Sequence, residues 1–292
     1  MFGFSRLYEP STINEALELL NKDWSAKIIA GGTDILLKFR QKKILDIPLV
    51  SLKKIINLSE IKELPDGSVQ IGAMATFTKV NQDPVINSRL PFLAKAAINM
   101  GGPQIRNVAT IGGNLCNGAP SADSASSLLA LKAKLTLQSL HGTRDVDLEN
   151  FYQGLYQTDV KHGEILTAIT IPQIKGLWGG HYIKFSMRKA MDIATLGCAV
   201  VCLLKDEKTV KEARIALGTA APTPIRCYQA ESLVIGQIFT GRLLEKVGEE
   251  ALKQAKPRSS WRASKEFREE LIKELTIRTF QEAFFEAGGK LS

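Results

Sequence analysis

The stretch RNVATIGGNLCNGAPSAD, residues 106–123, places two adjacent glycines after a short apolar run and continues as a polar, helix-poor segment that ends in an acid. A shorter element of the same kind, KIIAGGTD, occupies residues 27–34. Because glycine has no Cβ atom, each pair lets the backbone turn its N–H groups toward an anion and lets a phosphate approach closely. Two such loops in one chain predict a diphosphate-bearing cofactor.

The shorter loop, taken alone, is also compatible with an ordinary turn between a strand and a helix. It matches neither G-x-G-x-x-G nor the P-loop pattern, so the common nucleotide-binding fingerprints are absent. After its glycines, Thr33 offers a hydroxyl for a phosphate oxygen, and Asp34 offers a carboxylate for ribose hydroxyls or for capping the next helix. Lys27, at the start of the strand, either offsets phosphate charge or is solvated.

The bulk properties of the chain are those of a globular protein in aqueous solution. Its 292 residues are 45% hydrophobic and 23% charged, and this length suffices for two domains of ordinary size. No apolar run approaches the ~18 residues of a membrane span, and no secretory signal is evident, so we expect a cytoplasmic protein with no membrane contact. The net charge of +8 is spread over several segments without a nucleic-acid motif, which favours a solvated surface, or else an acidic cofactor or partner, over nucleic-acid binding.

Cysteine and histidine usage argues against a disulfide framework and a metal centre. The four cysteines are too few and too scattered to cross-link a chain of this size. Cys198 and Cys202 fall on a predicted strand, where positions i and i+4 lie about 13 Å apart, too far to ligate one metal ion. The three histidines are isolated, with no Ser-His-Asp arrangement. We therefore expect buried reduced thiols, no metal ligands and no catalytic residue of the chain's own.

Hydrophobic periodicity predicts an α+β fold, because strands and helices occur in separate runs. Thr12 and Glu15 form a capping-box pattern before a helix over 12–21. Later strands are predicted at 44–50, in a hairpin over 61–73 and at 164–172, and a glycine-rich link then precedes three strand-like runs and a final helix over 264–287. We expect a first domain at 1–174, with lobes at 1–55 and 56–174, and a C-terminal domain at 175–292.

Five segments in this order resemble the FAD-binding subunit of the molybdenum hydroxylases, most closely that of bacterial xanthine dehydrogenases. They span nearly the whole chain: KIIAGGTDILL (27–37), ATIGGNLCNGAPSAD (109–123), MRKAMDIATLGCA (187–199), APTPIR (221–226) and PRSSWRASKEFR (257–268). The resemblance implies a two-lobed FAD-binding domain of the PCMH type. A C-terminal domain with a three-stranded antiparallel sheet and a helical bundle would follow it.

The resemblance also implies which residues contact FAD, extended between the lobes. The first loop would carry the pyrophosphate, and the second would close over the pyrophosphate and the ribityl chain. Asp123 would make a polar contact, Ile165 or Leu166 would pack on the flavin, and Lys184 would reach its polar edge and stabilise the anionic reduced ring. The implied cofactor-binding set is Lys27, Ile28, Ile29, Ala30, Gly31, Gly32, Thr33, Asp34, Ala109, Thr110, Ile111, Gly112, Gly113, Asn114, Asp123, Ile165, Leu166 and Lys184.

In function, the resemblance implies an electron-transfer subunit. A molybdenum-cofactor-binding large subunit would hydroxylate a purine, a [2Fe-2S] small subunit would relay the electrons, and FAD on this chain would pass them to NAD or another acceptor. Relatives that reduce NAD often carry several acids after the basic strand motif, whereas Asp192 is the single acid in 188–192. Met100 stands where animal relatives place an aromatic ring against adenine, and a thioether can also pack there. The chain has no cysteine-bearing insertion, so we expect no further iron-sulfur cluster in it.

Two other readings stay open at this point. One is a self-sufficient flavoprotein oxidase or dehydrogenase of the same FAD-binding fold, which would need a substrate pocket with its own acid-base groups. The other is a non-catalytic interaction or nucleic-acid-binding module, given the basic pI of about 9.2. Cys116, directly after GGNL, would lie near the isoalloxazine, either as a small packed thiol or, less favoured, as a redox-active cysteine.

Overall fold

The N-terminal part of the chain forms a small parallel sheet with two helices. The structure is a computed structural model that describes residues 3–291. The elements here are β1 (Leu7–Tyr8), α1 (Ile13–Lys22), β2 (Lys27–Ile29), α2 (Ile35–Arg40) and β3 (Leu49–Ser51). Strand β3 lies between β1 and β2 and pairs with both in parallel. The strand predicted over 44–50 is therefore wrong in extent, since only its end joins the sheet.

Helix α1 begins at the predicted cap. The Thr12 hydroxyl accepts a hydrogen bond from the Glu15 N–H at 3.2 Å. The Glu15 carboxylate accepts from the Ser11 N–H at 2.8 Å, one residue before the partner that a capping box uses. Leu17, on the inner face, is buried in a core that it shares with Val50 of β3. This confirms the predicted helix, displaced by one residue.

The middle of the chain forms a five-stranded antiparallel sheet covered by short helices. Its elements are β4 (Ile61–Glu63), β5 (Val69–Gly72), α3 (Phe77–Gln82), α4 (Pro84–Arg89), α5 (Pro91–Ala97), α6 (Pro103–Arg106), α7 (Ile111–Cys116), α8 (Ala125–Ala130), β6 (Lys134–Ser139), β7 (Gly142–Asp147), α9 (Leu148–Phe151), β8 (Tyr152–Gly154), β9 (Gln157–Thr158) and β10 (Ile165–Ile171). The sheet order is β4-β5-β10-β6-β7, and β8 and β9 form a separate hairpin. Side chains of β5, β6, β10, α3, α5, α7 and α8 share one hydrophobic core.

The C-terminal part packs an antiparallel sheet against helices. Its elements are β11 (Leu177–Phe185), β12 (Leu196–Leu204), β13 (Val210–Gly218), β14 (Ile225–Arg226), α10 (Tyr228–Ser232), α11 (Gly241–Gln254) and α12 (Lys265–Glu286). The three predicted strands are confirmed, and the structure adds β14, a two-residue edge strand that pairs with the end of β13. Pro222 and Pro224 precede β14 and have no N–H for a ladder, which explains its shortness.

Strand β12 joins the middle and C-terminal cores. All nine of its residues are buried. Ala199 and Val201 belong to the core of the middle region, whereas Cys198, Val200 and Cys202 belong to the C-terminal core. Because successive strand side chains alternate between faces, one apolar strand serves both cores.

The predicted buried thiols are confirmed for Cys198, Cys202 and Cys227, which are free and buried, but the prediction is wrong for Cys116, which is free and exposed. Burial raises the pKa of Cys198 and of Cys202 to about 12. Within residues 3–291 there is no group of three histidine, cysteine, aspartate or glutamate side chains able to hold a metal ion. None of the helices in that range has the length and apolar character needed to cross a bilayer.

Candidate functional site: a cleft between two glycine loops

A cavity of about 350 Å³ opens between the N-terminal lobe and the middle sheet. Most of the predicted contact residues line it: Lys27, Ile28, Ala30, Gly31, Gly32, Thr33, Asp34, Ala109, Thr110, Gly112, Gly113, Asn114, Ile165 and Leu166. Ile29, Ile111, Asp123 and Lys184 lie outside this lining. The two loops, more than seventy residues apart in sequence, thus face one cavity.

Close packing requires glycine at one position in each loop. A Cβ atom on Gly31 would lie 2.0 Å from the Val108 carbonyl oxygen and 2.9 Å from the Cα of Ala109. A Cβ atom on Gly112 would lie 2.6 Å from the Ala73 carbonyl oxygen. Backbone therefore packs directly on backbone at both points: a side chain at position 31 would force the two loops apart, and one at position 112 would push α7 away from Ala73.

The main-chain amides of the first loop are free. Within residues 3–291, no acceptor pairs with the N–H groups of Gly31, Gly32, Thr33 or Asp34. Gly32 has a φ of +78°, in the left-handed region that glycine adopts without strain. A run of unpaired N–H groups on the wall of a cavity is a donor surface suited to phosphate oxygens.

The second loop uses its amides within the fold. The Gly112 N–H donates to the Ala73 carbonyl at 2.9 Å, the Gly113 N–H donates to the Thr110 hydroxyl at 3.1 Å, and the Asn114 N–H donates to the Thr110 carbonyl at 3.0 Å. The prediction of a helix-poor segment is wrong here, because Thr110 caps α7. These three amides are therefore not available to an anion, and this loop contributes its surface rather than its N–H groups.

Asp34 and Lys38 set the electrostatics beside the first loop. Asp34 lines the cleft and makes no capping hydrogen bond to α2, so its carboxylate is available to a ligand in the cleft. Burial raises the pKa of Asp34, and the Lys38 ammonium opposes that shift. Lys38 lines the same cavity, although the sequence analysis did not predict it as a contact residue. Lys38 follows Asp34 by four residues, a spacing that places both side chains on one face of a helix. This spacing could have identified Lys38 as a residue of the cleft from sequence alone.

The opposite wall of the cleft is apolar. Ile165 and Leu166 come from the start of the central strand β10 and have exposures of 0% and 4%. Met100 also lines the cavity. Cys116, at the end of α7, lines this cleft, and desolvation by the surrounding protein raises the pKa of its thiol, although the residue as a whole is exposed.

Asp123 and Lys184 pair with each other and do not line the cavity. The Lys184 Nζ lies 2.9 Å from the Asp123 Oδ1 and donates to the Asn99 carbonyl at 3.0 Å. Burial raises the pKa of Asp123, and the Lys184 charge opposes the shift. Ile111 is 1% exposed in the core of the middle region. Asp192 accepts a hydrogen bond from the Arg188 N–H at 2.9 Å within its own loop.

Two known sequence families match the chain. Residues 2–174 match the FAD binding domain in molybdopterin dehydrogenase, and residues 181–283 match the CO dehydrogenase flavoprotein C-terminal domain. A xanthine dehydrogenase FAD-binding subunit of Escherichia coli O157:H7 is 43% identical over 292 residues, 100% of each chain. The carbon monoxide dehydrogenase medium chain of Hydrogenophaga pseudoflava is 32% identical over 283 residues, 95% of this chain and 96% of that one.

Solved structures show the same fold over almost the full length. A chain of carbon monoxide dehydrogenase from Hydrogenophaga pseudoflava superposes with a TM-score of 0.94 at 30% identity, over 98% of this chain and 99% of that chain. A chain of quinoline 2-oxidoreductase from Pseudomonas putida 86 gives a TM-score of 0.91 at 27% identity, over 98% of each.

Proposed function

The chain belongs to the family of FAD-binding subunits of the molybdopterin dehydrogenases, and from that premise we propose that it is the electron-transfer subunit of a xanthine dehydrogenase-type assembly. It is an oxidoreductase subunit with FAD as its cofactor. In the proposal, a small partner subunit delivers electrons from [2Fe-2S] clusters to the FAD, and NAD or another acceptor removes them. A large partner subunit with the molybdenum cofactor hydroxylates the purine or a related N-heterocycle.

One observation supports the placement of the cofactor above all others. The unpaired amides of Gly31, Gly32, Thr33 and Asp34 belong to residues that line a cleft also lined by apolar side chains, Met100 and Leu166 among them. A dinucleotide has a matching distribution, with a diphosphate that needs hydrogen-bond donors and a flavin ring that needs apolar contact. The contact between Gly31 and Val108 holds the donor surface against the second loop.

The residues of the chain then have distinct tasks. The first-loop amides donate to the diphosphate, and the Lys38 ammonium offsets its charge. The Asp34 carboxylate accepts from a ribose hydroxyl. Ile165 and Leu166 cover one face of the flavin and exclude water from it. FAD supplies the capacity to take up electrons singly and to release them as a pair.

In the proposal, Asp123 and Lys184 act at the polar edge of the flavin, although both lie outside the lining of the cleft. Their mutual pairing holds a cation in a fixed position without a net buried charge. The lysine is therefore already oriented when the flavin is bound, and its charge stabilises negative charge at the near edge of the ring. Ile29 and Ile111 support the two loops from behind.

The test is an anaerobic absorption titration of the purified chain and of the assembly with its molybdenum and iron-sulfur subunits. We expect a flavin spectrum in both, bleached by xanthine in the assembly and not in the isolated chain. A colourless protein unable to take up FAD would contradict the cofactor site. Bleaching of the isolated chain by hypoxanthine would instead support a self-sufficient oxidase.

A further inference from the structure

Three arginines meet where the loop before α12 joins that helix, far along the chain from the glycine loops. Arg268, on the first turns of α12, is 3% exposed. One terminal nitrogen donates to the Thr195 carbonyl, the other donates to the Ser260 hydroxyl at 3.0 Å, and the Nε is buried without a partner. Arg258 and Arg262 belong to the loop that Arg268 holds in place. The Nε of Arg262 is also buried and unpartnered.

The charges of this arginine cluster are not neutralised. Burial lowers the pKa of Arg268, and the positive charges of Arg258 and Arg262 lower it further. Within residues 3–291, no carboxylate forms an ion pair with any of the three, whereas the half-buried Arg144 and Arg226 each pair with a glutamate. A guanidinium taken out of water costs several kcal/mol unless a counter-charge is supplied. Arg268, the buried member of the cluster, therefore lacks a counter-charge, while Arg258 is exposed and Arg262 is partly exposed.

The loop that presents the cluster is ordered by its own hydrogen bonds. The Ser260 N–H donates to the Ala263 carbonyl at 2.9 Å, and the Lys265 N–H donates to the Ser259 hydroxyl at 2.9 Å. A ligand would thus meet a preformed surface and would spend little free energy on ordering it.

Exposed aromatic surface borders the arginines. Trp261 is 83% exposed, and the Arg262 guanidinium lies 4.1 Å from its ring centroid. Phe267 is 44% exposed and packs edge-on against Phe185 at 5.6 Å. Tryptophan and arginine are the residue types most enriched where protein partners make their strongest contacts. A small anion would neutralise the arginines and leave Trp261 in water.

We propose that Arg258, Trp261 and Arg262, with Arg268 beneath them, form the surface on which an acidic segment of a partner subunit docks. Carboxylates of that segment pair with Arg258 and Arg262 in the bidentate geometry that guanidinium favours. An apolar side chain of the same segment covers Trp261. The inference rests on the proposed multi-subunit assembly and adds to it the face through which this chain is held.

The test uses the assembly purified with its molybdenum and iron-sulfur subunits and dissociated by dilution at increasing NaCl. We expect R258E, R262E and W261A each to raise the dissociation constant about tenfold, the equivalent of about 1.4 kcal/mol. The control R242E changes an exposed, unpaired arginine on the neighbouring helix α11 and should leave the constant unchanged. Flavin absorbance per chain and the melting temperature should match wild type in all four variants.

The possible failures are distinguishable. Equal dissociation of R262E, W261A and wild type would overturn the docking surface and leave the proposed electron-transfer role intact. Inorganic phosphate that stabilises the wild-type chain but not R262E, with assembly unaffected, would show a small-anion site and overturn the proposal. A wild-type chain that binds FAD yet forms no assembly with those two subunits would overturn both.

Discussion

The Nζ of Lys38 donates a hydrogen bond to the Oδ1 of Asn117 across 3.3 Å, so α2 of the first lobe is tied to the residue that follows α7 in the second. Both residues line the cleft. The contact places a cation beside the unpaired amides of the first loop, and it links the two walls that the proposed cofactor would span. Lys38 is thus both a link between the lobes and a source of positive charge.

Replacing Lys38 tests that dual role. K38M removes the charge and the bond to Asn117, so we expect the FAD dissociation constant of the apoprotein to rise about tenfold, in the range of one charged hydrogen bond. The measurement is flavin fluorescence quenching on titration. K62M, on the edge strand β4 away from the cleft, is the matched control and should bind FAD as wild type does. Equal FAD affinity of K38M and wild type would show that Lys38 does not contribute to FAD binding.

Gly31→Ala tests the contact between the loops. The added Cβ would lie 2.0 Å from the Val108 oxygen, so the loops must separate. We expect the free energy of unfolding to fall by about 1–3 kcal/mol, the usual cost of overpacking, together with weakened FAD binding. Urea denaturation and flavin titration measure the two effects.

Gly241→Ala is the control for that substitution. Nothing lies within 4 Å of the added atom at the start of α11, so this variant should gain up to about 1 kcal/mol of stability as a better helix former. A G31A protein with wild-type stability and FAD affinity would show that the loops do not need this contact.

The parts of the fold that sequence could predict are those governed by local chemistry. Thr12 caps α1 because its hydroxyl reaches the third N–H of the helix, and the apolar run of β12 is evident from sequence alone. Local chemistry was not enough to predict the structure of the cleft. Gly112 and Gly113 discourage a helix by propensity, yet they enter α7 because Gly112 must pack against the Ala73 backbone, a contact that no local pattern contains.

The same limit applies to the charged groups. The glycine pairs indicated a diphosphate site. Only the folded structure reveals that amides of the second loop already donate hydrogen bonds to Ala73 and Thr110. The pairing of Asp123 with Lys184 joins residues from separate regions of the chain, so no spacing rule could have predicted it. Tertiary packing decides which donors remain free.

Asp34→Asn should separate stability from binding. Burial raises the pKa of Asp34, so the folded state holds its proton more tightly than the unfolded chain does, and the ionised carboxylate costs stability at neutral pH. We expect apo D34N to be more stable than wild type at pH 7. The difference should shrink as the pH falls through the raised pKa toward the ordinary aspartate value.

Urea denaturation of both apoproteins between pH 4.5 and 8 measures this effect. FAD affinity should change in the opposite direction and fall in D34N, since an amide accepts a ribose hydrogen bond less strongly than a carboxylate does. A stability difference that is constant across the pH range would show that Asp34 is not desolvated.

Glu212→Gln should show the reverse pH dependence. Burial would raise the pKa of Glu212, but hydrogen bonds from Arg214 and Lys132, at 2.7 and 2.8 Å, more than offset it and hold the pKa at about 2. The stabilisation that ionised Glu212 contributes is therefore fully present above pH 4.5, the ordinary pKa of glutamate, and is lost as the pH falls from there toward about 2.

We expect E212Q to lose about 1 kcal/mol of unfolding free energy at pH 7, a figure reduced for the partial exposure of the carboxylate. The loss should narrow below pH 4. The control is E245Q, which changes an exposed glutamate on α11 and should leave the free energy of unfolding equal to that of wild type. A pH-independent loss in E212Q would assign the effect to packing rather than to charge.

Cys116 should behave as an unreactive thiol inside the cleft. Desolvation raises the pKa of Cys116, so little of the thiol is ionised at pH 8, and the thiolate is the reactive form. Alkylation of the apoprotein by iodoacetamide, followed by peptide mass spectrometry, should be slow and should rise about tenfold per pH unit from 8 to 10 without a plateau. FAD should suppress it, because the thiol opens onto the cleft that the cofactor would fill. C116S should leave the rate of flavin reduction in the assembly unchanged; rapid labelling that saturates near pH 7, or slowed reduction in C116S, would instead favour a redox role.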